Sequence, residues 1–228
     1  MSTRSTVETL TLLQTSDSAF PSGAFAFSHG LETLAAEGHV AGAPAVEAVL
    51  LEQVLPRWLG FDRWFLARAH EVSGVATPDA LHQVDALCEA HNSVASLAEA
   101  SRRIGRSTLV THARLGTPGA ATFRDRIQAG TGFGHAPVVQ GALARALGLA
   151  AGDAATGALF ACMSASVSAA VRLGVLGALD AQRLLLAMRG PMAEGLAAPM
   201  PDSPAAFSPL IDIAAMRHAM SETRLFAA

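Results

Sequence analysis

Apolar residues recur along this chain at spacings of three and four, the period of a helix that buries one face. Leu81, Val84, Leu87 and Cys88 form one such stripe, and Thr77-Pro78 ahead of it supplies an N-cap followed by proline at the first helical position. Ser93 is predicted to cap the next helix. There Val94, Leu97, Ala98, Ser101, Ile104, Gly105 and Leu109 share a face, while Arg102, Arg103 and Arg106 fall on the wet one. Nearer the start, Pro44 opens a helix through Val46, Val49, Leu50 and Val54 that Pro56 interrupts, and another helix is predicted from Phe61 to about Val72. Further on, Asp153 caps a long apolar helix and Asp180 a short one carrying Leu184, Leu185 and Met188. Ser208-Pro209 repeats the cap-plus-proline signature before Leu210, Ile213 and Met216. Strand signals are almost lacking.

Breaks fall at Pro21-Ser22-Gly23, Gly116 to Gly119, Gly130 to Gly134 and Pro199 to Pro204. None is long enough to link separate domains, and no repeat of fixed period is present. The pattern predicts an all-α fold: one helical domain over residues 1–228 with short terminal tails, a bundle of about eight to ten helices around Ala154–Val171. That segment is eighteen residues without a charge, long enough for a short membrane span. Its Ala, Ser and Gly content makes insertion weak, so a buried bundle helix and no membrane contact are expected.

Composition adds a surplus of apolar surface. Of 228 residues, 51% are hydrophobic and 15% charged, against roughly 25% charged in ordinary soluble domains. Some apolar surface is therefore expected to meet a partner or a second copy. A formal charge of -3 gives no electrostatic footprint for nucleic acid. All sixteen basic residues are Arg, as codon bias in a GC-rich genome would produce. Without Lys there is neither a Schiff base nor a P-loop of the GxxxxGK[ST] kind. Cys88 and Cys162 are far apart and read as core residues. Glu8 interrupts the only apolar stretch near the start, which leaves no export signal and an expected cytoplasmic location.

Catalytic and metal patterns are sparse. His29, His39, His70, His82, His91, His112, His135 and His218 stand singly, with no HExxH and no pair at i, i+4 on a helix. GxSxG is missing, and Ser28-His29 adjacency is no triad. The glycines from Gly130 to Gly134 precede a helix whose N-terminus could hold an anion, although a flexible connection is the plainer reading. No catalytic or metal-ligating residue is assigned. A helical metal-binding or enzymatic bundle using His29, His135 or His218 stays open as the alternative.

The stretch Asp17-Ser18-Ala19-Phe20-Pro21-Ser22-Gly23-Ala24-Phe25-Ala26-Phe27-Ser28-His29-Gly30-Leu31-Glu32 resembles the signature of the UreF family of urease accessory proteins. There a Leu-Pro-x-Gly-Gly-Phe turn leads into a helix beginning Ser-x-Gly-Leu-Glu. The likeness continues in the same order through Glu99-Ala100-Ser101 with Gly105, His135 to Gly141, Ser168 to Gly177 and Pro209 to Phe226. Phe20 for Leu, Ala24 for Gly and Phe27 for Tyr are departures.

The resemblance implies a helical homodimer that is not an enzyme and has no cofactor of its own. It would bridge a UreG-type GTPase and the UreD/UreH-type accessory protein that docks on apo-urease, and modulate GTP hydrolysis. Nickel and GTP would be handled by those partners during nickel insertion. If the work is protein binding, the expected contacts are Pro21, Gly23, Phe25, Phe27, Ser28, Glu32, His218, Arg224, Leu225 and Phe226, since anchors are aromatic, Leu and Arg side chains. The tail Arg224-Leu225-Phe226 leads, because a tail after a helix has few neighbours of its own. Ser101, Gly105, His135, Gly141, Arg172, Gly174 and Gly177 are expected in the dimer contact or the core, with Arg172 suited to a helix C-terminus.

Overall fold

The computed structural model describes residues 5–74, 79–220 and 225–227. In chain order these form α1 (Thr6–Ser16), a short 3-10 turn (Ala24–Ala26), α2 (Leu31–Ala36), α3 (Gly42–Val49), α4 (Leu55–Arg57), α5 (Arg63–Val72), α6 (Ala80–His91) and α7 (Ala95–Arg114). They continue through α8 (Ala120–Gln128), α9 (Ala136–Ala146), α10 (Ala151–Arg172), α11 (Ala178–Ala187), α12 (Arg189–Ala197) and α13 (Pro209–His218). Among the described residues the fold is all-α, and strand-like pairing is limited to one parallel bridge between Phe27 and Ala227.

Helix starts follow local chemistry, with corrections to the expected caps. Ser5 and Glu8 close a reciprocal capping box on α1. Ser208 does hold the N-cap position of α13 ahead of Pro209, although its hydroxyl donates to the Asp212 carboxylate at 3.1 Å and caps no backbone N–H. Asp153 and Asp180 lie inside the first turns of α10 and α11, where their charge still suits the helix dipole; the caps are Ala150 and Gly177. Val94 rather than Ser93 caps α7. Thr77-Pro78 lies outside the described residues, and α6 starts after Asp79.

Pro56 does not break its helix. Residues 42–72 run as one rod in which two π turns, Leu50–Val54 and Trp58–Asp62, join α3, α4 and α5. Leu55 N–H reaches back five residues to the Leu50 carbonyl, so the wider turn opens where the proline ring would strike the preceding turn.

The largest buried cluster joins this rod to α2, α10, α11 and α13, and the backbones approach closely where the rod meets α9. Helix α9 lies between α5 and α7 and buries Val138, Val139, Ala142, Leu143 and Ala144. Two glycines permit the approach. A Cβ on Gly141 would overlap the Leu66 carbonyl oxygen of α5, and one on Gly105 of α7 would overlap the Gly134 carbonyl ahead of α9. The apolar α10 touches α1, α2, α5, α9, α11 and α12, the widest set of neighbours, and buries Leu159, Met163, Val167 and Ala170. It is long and apolar enough to cross a membrane, yet half of its most apolar window is buried against other helices. The apolar surplus surfaces elsewhere. Val7, Leu10 and Leu13 are exposed on α1, and Leu210, Ile213 and Met216 line one face of α13.

These contacts set an expected outcome. Gly105→Ala and Gly141→Ala force backbone apart and should each cost about 1–3 kcal/mol, as overpacking does. Gly152→Ala, with nothing near its Cβ position, should be neutral or stabilising by up to about 1 kcal/mol. Denaturant midpoints of the three variants decide it: equal values would mean that α9 is not held by backbone contact.

Candidate protein-docking site at the joined termini

The Pro21–Gly30 turn leads the chain from α1 to α2. Gly23 takes a left-handed conformation, φ 77°, and its open side faces Ser107 of α7. Ser107 Oγ donates to the Pro21 carbonyl at 3.2 Å, which anchors the turn to α7. Phe25 sits on the 3-10 turn and is 58% exposed, while Phe27 is buried beneath the Arg103 guanidinium at 5.4 Å. Gly30, not Ser28, is the cap of α2; Ser28 Oγ still accepts the Glu32 N–H at 3.4 Å.

Glu32 joins the two ends of the chain. Its carboxylate accepts the backbone N–H groups of Leu225 and Phe226 and the His218 Nε2–H at 2.7 Å. Burial opposes its charge, but the Leu225 N–H, His218 and the Phe226 N–H prevail, so its pKa lies below the usual 4.5. Ala227 N–H donates to the Ala26 carbonyl at 2.8 Å and completes the parallel bridge. The Arg172 guanidinium, from the end of α10, lies between the rings of Phe25 and Phe226, 3.6 and 4.1 Å from their centroids. Its Nε and Nη2 are buried without a hydrogen-bond partner, and burial lowers its pKa.

The expected binding residues thus divide into a frame and a face. Phe27, Ser28 and His218 are buried, and Phe226 is 3% exposed. The expectation that the tail lacks neighbours of its own is corrected for Phe226, because Arg172 and the Glu32 clamp give it a place in its own bundle. Leu225 remains 66% exposed, and with Phe25 and Pro21 it forms the accessible part. Arg224 lies outside the described residues. Gly174, at φ 72°, ends α10, and Gly177 caps α11.

The other expected core residues cluster around the start of α9. His135 is fully buried; its Nε2–H donates to Glu89 at 2.7 Å and its Nδ1 lies 3.1 Å from Ser101 Oγ. Burial lowers the His135 pKa against the pull of Glu89. Glu89 in turn binds Arg102, and these hydrogen bonds outweigh its burial to hold its pKa below 4.5. The order Glu89–His135–Ser101 has the form of an acid–base relay. However, Ser101 also accepts the Ala136 N–H at 3.2 Å and His135 has no open face, so the set ties α7 to α9. Gly141 lies in the same helix, against α5.

Sequence reasoning missed Asp85. Its fully buried carboxylate accepts N–H groups from Phe133, Gly134 and His135 at 2.7, 2.8 and 3.0 Å. The anion fitting the glycine-rich loop is this chain's own, and the connection is a clamped one. Asp85 falls within the apolar stripe of Val84 and Cys88, which was the available signal. His29, His135 and His218 bond to Ser166, Glu89 and Glu32 respectively, and no three His, Cys, Asp or Glu side chains among the described residues could hold a metal.

The clamp predicts an acid response. Glu32 and Glu89 have lowered pKa values in the fold, so the unfolded chain takes up their protons first. Their stabilisation is complete above about pH 4.5 and is lost as pH falls through the folded values. The thermal midpoint should fall in acid, and less steeply in E32Q and E89Q. In addition, Glu32→Ala should speed amide exchange at Phe226 at neutral pH; unchanged exchange would mean that the clamp does not hold the tail.

A family model described as UreF matches residues 40–189, from the rod to the start of α12. Curated relatives align over nearly the whole chain. The urease accessory protein UreF of Trichodesmium erythraeum (strain IMS101) is 31% identical over 96% of this chain and 97% of its own length. That of Arthrobacter sp. (strain FB24) is 32% identical over 95% and 96%. That of Cereibacter sphaeroides (strain KD131 / KCTC 12085) is 33% identical over 95% and 97%. These alignments extend well beyond the family model, and on this match the chain belongs to the UreF family.

Proposed function

We propose that this chain is a non-enzymatic, cytoplasmic accessory protein in urease maturation, needed for nickel insertion into apo-urease. In this reading it is a homodimeric adaptor. It bridges a UreG-type GTPase, which carries nickel and GTP, and a UreD/UreH-type protein docked on apo-urease, and it modulates GTP hydrolysis. The observation that carries the reading is the near full-length similarity to proteins named as urease accessory proteins. The geometry is compatible with it. Phe25 and Leu225 stand exposed on a frame locked by Glu32 and Arg172, so presenting them to a partner requires little ordering. The exposed stripes on α1 and α13 supply apolar area for a second copy or a further partner.

Omission is the direct test. Urease co-expressed with its other accessory proteins but without this chain should accumulate in normal amount with little nickel and little activity. Full loading without the chain would overturn the reading. Phe25→Asp with Leu225→Asp should keep the helical fold, with a somewhat lower thermal midpoint from the lost Phe25–Arg172 contact, but abolish co-purification with the partners. Retained co-purification would move the docking surface elsewhere.

A further inference from the structure

Among the described α-helices, α1 alone buries none of its residues. Val7, Leu10 and Leu13 point to solvent, and of its Val and Leu side chains only Leu12 packs on the core. Among the described residues, the side-chain hydrogen bonds of Ser5 to Ser16 stay inside that segment. The helix rests on α10, where Gly157 is buried beneath it. A Cβ on Gly157 would overlap Leu12 Cδ1 and Ser16 Oγ. Helix α13, near the other end of the chain, buries Ile211, Ala214, Ala215 and His218 by contrast.

This weakly held helix closes one side of a cavity of about 220 Å³, which the rod, α7, α9 and α10 complete. Leu12, Thr15 and Ser16 of α1 line it from one side, and Ala161 and Cys162 of α10 from another. The chain after α1 has a loose stretch followed by a fixed point. Asp17, Ser18 and Ala19 are exposed. Phe20 then packs on His112, ring centroids 5.1 Å apart, and Ser107 Oγ donates to the Pro21 carbonyl at 3.2 Å.

We propose that α1 is a strap that swings out about Asp17–Ala19 and opens the cavity to solvent while the rest of the bundle stays folded. Segments that bury little apolar surface open at a smaller free energy than the whole domain. The clamp of the joined termini does not hinder the motion, because Phe25, Phe27 and Glu32 lie beyond the Pro21 anchor. Once off α10, a helix of eleven residues is marginal in water, so its amides exchange while the strap is open. The motion needs no partner protein and does not depend on the role in urease maturation.

The two cysteines report on the motion in the full chain. Cys162 lines the cavity, and burial pushes its thiol up to about 12, so little thiolate forms while the strap is closed. Cys88 is fully buried in a separate cluster with Phe61 and Phe65. At neutral pH, N-ethylmaleimide should label Cys162 well ahead of Cys88, and the amides of Leu10 to Ser16 should exchange ahead of those of α9. Gly157→Leu keeps a good helix former in α10 but fills the seat of Leu12. It should speed Cys162 labelling by about tenfold or more, as overpacking of that size produces, and leave Cys88 unchanged. The proposal is overturned if Gly157→Leu labels Cys162 at the wild-type rate, if Cys88 labelling rises with it, or if the α1 amides exchange only together with those of α9. That last measurement uses the wild-type chain and decides the matter should the variant fail to fold.

Discussion

The architecture depends on one buried carboxylate. Asp85 gathers the N–H groups of Phe133, Gly134 and His135 and so fixes the loop from which α9 enters the bundle. A buried charge is tolerable only when its hydrogen bonds are made, and here three donors make them. Once the loop is set, His135 can reach Glu89 and Ser101, and Gly134 can lie against Gly105. Helix α9 then runs close enough to α5 for Gly141 to matter. Packing, polar ties and backbone contact all follow from where that loop is held.

Much of this was legible in sequence because it rests on periodicity. The stripes at Val94 to Leu109 and Ala154 to Val171 became the inner faces of α7 and α10, and Ser208-Pro209 started α13. The rod shows where local rules stop. Pro56 predicts a break when its own turn is considered, but the packing of residues 42–72 against the core favours keeping the helix and widening it. Asp153 and Asp180 were misplaced by a few residues because an acid suits both a cap and a first turn.

The candidate site was legible as a set of residues and not as a geometry. The turn at Pro21–Glu32 and the tail at Leu225 and Phe226 are nearly two hundred residues apart, and no local pattern says that Glu32 will take the tail's N–H groups. Arg172 read as a helix-end cation, and it is one. Its second role, between two rings from opposite ends of the chain, requires tertiary structure. Asp85 was overlooked because a single acid carries no motif.

The bridge between Phe27 and Ala227 closes a loop of two hundred residues without a covalent bond. Formed early, such a closure would cost about 5 kcal/mol in chain entropy from its length dependence alone. Formed after α2, α10 and α13 are in place, it requires ordering only a few tail residues. The join of the termini therefore belongs at the end of assembly, and it opens again if any of the three helices slips. A partner that recognises Phe25 together with Leu225 would then be inspecting the completeness of the whole molecule, and half-folded copies would pass unrecognised.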